Sequence, residues 1–314
     1  MDSMALAFVF PGQGAQAVGM GRDLAEAFAA ARQVFEEVDE VLKQNLARLM
    51  FEGPEDELIL TENAQPALLA VSLAALRVLT DEGNVDIAKA CRFVAGHSLG
   101  EYSALAAAGT FALADAARLV KIRGRAMQEA VPVGDGAMAA LLGFDVEEAR
   151  AVAEDAGGVC TAANDNAPGQ VVISGSREAV ERAVEIAAER GARRSIMLPV
   201  SAPFHCPLMA PAAEVMAEAL AETPMARPVV PLICNMTAAP LEDVDEIRRR
   251  LVEQVLGMVR WRESVLYMRD HDVDTLVEIG AGRVLTGLTR RIDRDLRGVT
   301  VGTPEEIEAF LETL

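Results

Sequence analysis

The chain has 314 residues, 51% of them hydrophobic, and its 29 Lys+Arg against 48 Asp+Glu give a formal charge of −19. That apolar content excludes general disorder, while the acidic balance and only 4% aromatic residues argue against a nucleic-acid backbone binder or a base-stacking surface. With three histidines, His97, His205 and His271, and four scattered cysteines, no metal ligand set is expected, and any imidazole chemistry must come from those three residues.

The elements begin with an apolar run, Leu6 to Phe10, that stops at Pro11-Gly12. It has no positively charged segment before it and reads as a first strand, not a signal peptide. Helical periodicity follows through Leu24, Phe28, Val34, Phe35 and Val38, and an Ala/Leu-rich helix is expected from about Pro66 to Leu79. A short strand, Phe93 to Ala95, leads directly into a helix near Gly100, and a further helix covers Ala114 to Glu129.

From about Gly136 to Val200 the order becomes β-α-β-β-α-β, which is the ferredoxin-like arrangement. The expected architecture is therefore α/β: a parallel-sheet, α/β-hydrolase-like core formed by residues 1–130 and 200–314, with a ferredoxin-like small domain, residues 131–199, inserted into it. No run reaches the roughly 18 apolar residues of a membrane helix, and the uncharged stretch from Ser195 to Ala213 is broken by four prolines. Cys91, Cys160, Cys206 and Cys234 form no CxxC pair, so a reduced, cytoplasmic chain with buried thiols is expected, without a membrane partner.

Gly96-His97-Ser98-Leu99-Gly100 is a G-x-S-x-G entered by an apolar strand and left by an Ala-rich helix. This is the context of a nucleophile elbow, whose glycines permit a tight turn presenting the serine, while helix-start N–H groups face a developing oxyanion. A serine needs a base at neutral pH. His97 adjoins it in sequence and so points elsewhere; His271 lies in the charged turn Arg269-Asp270-His271-Asp272; His205 lies in a proline-fixed loop, Ser201 to Pro207, and is the favoured base. The first turn, Pro11 to Ala17, fits G-x-G-x-x-A, but no acidic strand end follows some twenty residues on, which removes a dinucleotide reading. Its backbone N–H near Gln13 can instead serve an oxyanion hole. Arg123, should it face the elbow, offers a planar fork for a carboxylate.

These segments resemble the malonyl-CoA:acyl carrier protein transacylases over essentially the whole chain. The resemblance is carried by Phe10 to Gln16, Thr61 to Leu68, Gly96 to Tyr102, Arg123 to Met127, Asn164 to Val172, Val200 to Cys206 and Gly280 to Leu288. It implies transfer of malonyl from a coenzyme A thioester to the phosphopantetheine thiol of acyl carrier protein, supplying extender units for fatty acid synthesis, with no cofactor. Ser98 would be the nucleophile, His205 the base, Gln13 and Leu99 the oxyanion donors, and Arg123 the malonyl-carboxylate receptor, with His97, Asn166 and Phe204 also at the substrate. The main-chain carbonyl of Gln254 would orient the histidine, although Gly257-Met258 stands where Asn-Pro is common. Bulk at Phe204 implies malonyl over methylmalonyl.

The rival reading is a serine esterase or thioesterase with the same elbow, which needs a late His-Asp pair that only His271 can supply. A binding module would leave Ser98 unmodified. An acidic carrier facing an acidic chain calls for a local basic patch; the candidates are Arg290, Arg291, Arg294 and Arg297, or Arg193 and Arg194, the first being preferred.

Overall fold

Residues 5–314 are described in the computed structural model. Their strands are β1 (Leu6–Phe10), β2 (Cys91–Gly96), β3 (Gly136–Leu142), β4 (Cys160–Ala167), β5 (Gln170–Ser176), β6 (Arg194–Met197), β7 (Leu232–Ile233), β8 (Pro240–Leu241), β9 (Thr275–Ile279) and β10 (Arg297–Val301). The larger sheet has the order β10-β9-β1-β2-β7-β8 and is parallel except for the short β7-β8 pair. Helices cover it on both faces, so β1 is buried at all five positions; that is why LAFVF is a continuous apolar run with no alternation.

Parallel pairing places Phe10 beside Gly96 at the carboxyl ends of β1 and β2. The Pro11-Gly12-Gln13-Gly14 turn and the Gly96 to Gly100 turn therefore leave the sheet side by side, and His97 N–H donates to Phe10 O at 3.0 Å. Ligand sites in open α/β sheets form in this position.

The long apolar helix runs Thr61–Arg77, starting about a turn earlier than its proline suggests. Pro66 lies inside it, where it forgoes one backbone donor. The added turn contributes Thr61, Asn63 and Gln65, whose hydrogen-bonded side chains anchor the start. With its π-helical extension, Thr61–Glu82 is long and apolar enough to cross a membrane, yet 89% of its most apolar window is buried within the protein. It packs on the helix Leu113–Ala130.

The second sheet, order β4-β5-β3-β6, is wholly antiparallel. Its helices, Val146–Ala156 and Arg177–Glu189, share a separate apolar core with it that includes Leu141, Val152, Ile173 and Val180. The element order is β-α-β-β-α-β, and its last strand, β6, is only Arg194–Met197.

One seam ties this sheet to the core. Asp165 N–H donates to Val259 O and Val259 N–H to Ala163 O, both at 2.9 Å, forming a parallel bridge between β4 and the segment before the helix Trp261–Asp270. Beside it, Arg262 grips the Asp165 carboxylate through Nε (3.0 and 3.1 Å) and Nη2 (2.7 Å). The four cysteines are buried free thiols.

Candidate active site

The elbow forms because two glycines are sterically required. A Cβ on Gly96 would lie 1.9 Å from the Gly100 carbonyl, and one on Gly100 would lie 2.3 Å from Phe10 O. The tight turn leaves Ser98 at φ 54°, a left-handed conformation that costs a non-glycine residue about 1 kcal/mol or more. Asn235, just beyond β7, clamps it. Its Oδ1 accepts from Ser98 N–H at 2.8 Å and its Nδ2 donates to Gly96 O at 2.7 Å. The helix Gly100–Ala107 follows, and the Leu99 backbone N–H at its start has no hydrogen-bond partner among the described residues. Nor has the Gln13 backbone N–H in the adjoining turn.

His205 is brought to the elbow by its proline-rich loop, itself at φ 57° and 3% exposed. Its Nε2 lies 2.8 Å from Ser98 Oγ, and its Nδ1 lies 2.8 Å from the main-chain oxygen of Gln254, at the end of the helix Val244–Gln254. A carbonyl can only accept, so Nδ1 carries the proton and the Nε2 lone pair faces the serine hydroxyl. Burial, and then the positive charge of Arg123, push the His205 pKa down to about 3, so the imidazole is neutral through the physiological range. This geometry persists with Gly257-Met258 in place of the usual pair; a Cβ at 257 would meet the Met236 side chain at 2.3 Å.

The other two histidines are elsewhere. His97 packs its ring 5.8 Å from that of Trp261 and bonds Asn166 Oδ1 through Nε2 at 2.8 Å. His271 is exposed, stacked on Tyr267 at 3.9 Å, with Nδ1 donating to Tyr267 O.

Arg123, on the helix Leu113–Ala130, is 1% exposed. Its Nη1 donates to Gln65 Oε1 at 2.8 Å; its Nη2 donates to Gln254 Oε1 at 2.8 Å and to Ser98 Oγ at 3.1 Å. The guanidinium also sits 5.7 Å over the Tyr102 ring. No carboxylate touches it among the described residues, and its Nε is buried without a partner. Gln65 Nε2 in turn donates to Thr61 Oγ1, and Thr61 Oγ1 to Gln13 Oε1, linking the arginine to the first turn. A hydroxyl, a neutral imidazole on it, two unengaged N–H groups and a buried cation can together run acyl transfer on an acyl group that ends in an anion.

The sequence matches the acyl transferase domain family over residues 7–300. The malonyl CoA-acyl carrier protein transacylase of Bacillus subtilis is 46% identical over 312 residues, spanning 98% of this chain and 97% of that one. The chain belongs to this transacylase family. An acyl-carrier-protein-S-malonyltransferase structure from Bartonella henselae is 55% identical, with TM-score 0.96 over 98% of this chain and 99% of that one. A solved complex of a type II PKS acyl-carrier protein with its malonyl-transacylase is 44% identical, with TM-score 0.95 over 99% and 100% of the two chains.

As a member of the transacylase family the chain is an acyltransferase. Phe204 is 9% exposed and packs into the main apolar core next to His205. Sequence reasoning passed over Gln65, Thr61, Asn235 and Glu101. The first two lie in the Thr61 to Leu68 segment that already carried the resemblance. Glu101 has a visible signal, an acid within an otherwise apolar helix start; Asn235 has none, because the elbow atoms it clamps, Ser98 N–H and Gly96 O, lie more than 130 residues away. Among the described residues no group of three His, Cys, Asp or Glu side chains could hold a metal ion.

Proposed function

We propose that this acyltransferase moves malonyl from malonyl-CoA to the phosphopantetheine thiol of acyl carrier protein through an ester on Ser98, supplying extender units for fatty acid synthesis. The observation that carries the reading is Arg123: a fully buried cation, 3.1 Å from Ser98 Oγ, held only by neutral groups. Burying an unpaired charge is costly, and an incoming carboxylate at the end of the acyl group repays that cost in the place where the ester forms.

In the first half-reaction Ser98 Oγ attacks the thioester carbon as His205 Nε2 takes the hydroxyl proton. The tetrahedral oxyanion is received by the Gln13 and Leu99 N–H groups, and the Gln254 carbonyl holds the Nδ1–H of the imidazolium. The C–S bond breaks, and His205 returns the proton to the departing coenzyme A sulfur. In the second half-reaction His205 deprotonates the carrier's thiol, which attacks the ester, and the proton goes back to Ser98 Oγ. Atoms balance without a resident cofactor. His97 and Asn166, bonded to each other beside the elbow, are assigned to the substrate's approach. Phe204, next to the base, is assigned to excluding an α-methyl branch, so methylmalonyl-CoA should turn over at least about tenfold less well than malonyl-CoA; equal turnover of the two would refute this. A cytoplasmic site of action fits the four free thiols.

Two arginine clusters are candidates for the carrier surface. Arg291 Nη1 donates to Gln170 Oε1 at 2.5 Å, Gly143 N–H donates to Gly169 O at 2.8 Å, and Arg193 N–H donates to Leu142 O at 2.8 Å. Arg291 and Arg193 therefore lie near the β4-β5 turn, which begins just after Asn166. Arg290, Arg291, Arg294 and Arg297 are exposed, and we assign them to the acidic carrier. Intact-mass detection of a malonyl adduct on Ser98, discharged by holo carrier protein and not by water, tests the whole reading; no adduct, or rapid loss to water, rejects it.

A further inference from the structure

Behind the arginine lies a buried carboxylate that the transfer steps above do not use. Glu101, in the first turn of the helix Gly100–Ala107, is 1% exposed. One of its oxygens accepts from the Asn235 backbone N–H at 2.5 Å; the other accepts from Gln254 Nε2. That amide nitrogen also donates to Ser98 O at 3.0 Å, and the amide's oxygen accepts from Arg123 Nη2 at 2.8 Å. Asn235 Oδ1 also lies 3.4 Å from that nitrogen, so Glu101 is the one charged acceptor among the three that hold the Gln254 amide in this orientation.

We propose that Glu101 is a positioning residue: by accepting from Gln254 Nε2 it holds the Gln254 amide with its oxygen toward Arg123, and so sets preference for acyl groups that end in a carboxylate. The inference rests on the malonyl-transfer reading and extends it to a residue that touches neither substrate nor reacting atoms.

The logic is one of donors and acceptors. The Asn235 N–H is fixed by its backbone and always demands an acceptor. A glutamine at 101 must give that N–H its single oxygen, which leaves its NH2 facing Gln254. The Gln254 amide relieves that clash by turning over, giving up Ser98 O and Asn235 Oδ1 to present its oxygen to residue 101 and its NH2 to Arg123 Nη2. Donor meets donor, and the guanidinium loses one of the two amides that align its fork. Protonating Glu101 has the same effect, because the carboxyl hydrogen occupies one acceptor position. Burial raises the Glu101 pKa to about 7, although the bonds from Asn235 and Gln254 and the charge of Arg123 oppose that rise. The titratable and charged groups facing it are Arg123 from the helix Leu113–Ala130, Cys234 from the segment after β7, and Tyr102 on its own helix. Both thiol and phenol are pushed up to about 12, so neither ionises near neutrality.

The test compares kcat/KM for malonyl-CoA and acetyl-CoA in the full chain, for wild type and Glu101→Gln, between about pH 6 and pH 8. The malonyl carboxylate is ionised throughout, and His205 acts on both substrates alike, so the ratio isolates Arg123. In the wild type the malonyl:acetyl ratio should fall about tenfold as pH drops through about 7 and Glu101 gains its proton. In Glu101→Gln the ratio should be low, by about tenfold, and flat across the range, one charge-assisted hydrogen bond being worth about that factor. Equal loss for both substrates makes Glu101 structural and overturns the proposal. A malonyl preference that rises in Glu101→Gln shows that only its charge matters and overturns it too. A flat wild-type ratio does the same without any variant, should Glu101→Gln fail to fold. Wild-type protein that forms no malonyl ester on Ser98 rejects the transfer reading, and this proposal with it.

Discussion

Two arginines in this molecule are each tied to residues from distant parts of the chain, and they are held in opposite ways. Arg262 closes on Asp165 with three contacts at 2.7–3.1 Å, its own side chain still 28% exposed while the carboxylate is 2% exposed. Arg123 is 1% exposed and touches two amides, a hydroxyl and an aromatic face, but no carboxylate among the described residues. The first is a finished ion pair, and the partly exposed cation keeps its desolvation cost low. The second is an unfinished one, fully desolvated and aligned in advance. A buried cation with neutral partners reads as a receptor; a cation that already has its anion reads as a fastener.

Substitution should separate the two. The largest effect is expected at the base: His205→Ala should lower acyl-Ser98 formation by about 10²- to 10⁴-fold, while His271→Ala leaves it intact. The reverse pattern, seen in a rapid-quench adduct assay, would revive the hydrolase reading. Arg123→Ala comes next. Losing a bidentate charged contact, it should reduce malonyl transfer about 10²-fold or more relative to acetyl transfer, with no fall in melting temperature, since it also removes an unpaired buried charge. Arg262→Ala should do the opposite: a loss of about 1–3 kcal/mol in denaturant unfolding, because Asp165 is left buried and unpaired, and no change in the malonyl:acetyl ratio. If both arginines behave alike in the two assays, the distinction fails. The smallest effect belongs to the surface: Arg290→Glu with Arg291→Glu should raise KM for carrier protein several-fold at low salt, and less so at about 0.5 M salt, where exposed charges are screened.

What the sequence makes legible here depends on how local each requirement is. The elbow is readable because Gly96, Ser98 and Gly100 satisfy a steric demand within five residues, and the histidine loop because Pro203 and Pro207 fix its backbone on either side of His205. The parallel sheet is readable because burial on both faces leaves continuous apolar runs such as LAFVF. The arginine's surroundings are not. Gln65, Gln254, Glu101 and Asn235 converge from four separate segments, and polar residues carry no periodicity that marks them as buried. Asp165 lies between Asn164 and Asn166, yet nothing local says that Arg262, almost a hundred residues on, will take it. The helix Thr61–Arg77 begins a turn before Pro66, which locally reads as its start, because the site needs Thr61 and Gln65.

The pairing of β3 with β6 also matters for how the chain assembles. Ala139 faces Met197, so the small antiparallel sheet, once formed, holds its own two ends together. To the larger sheet, which must bring β2 against β7 across that interval, about sixty intervening residues then count as a short link. Loop-closure entropy grows by about 0.6 kcal/mol per doubling of length, so prior formation of the small sheet, which takes out a little under half of the interval, lowers the entropic cost of joining β2 to β7 by about 0.5 kcal/mol. An insertion that interrupts the core in sequence thus shortens the search by which the core closes, and a destabilised small sheet should show itself first as slower folding of the larger one.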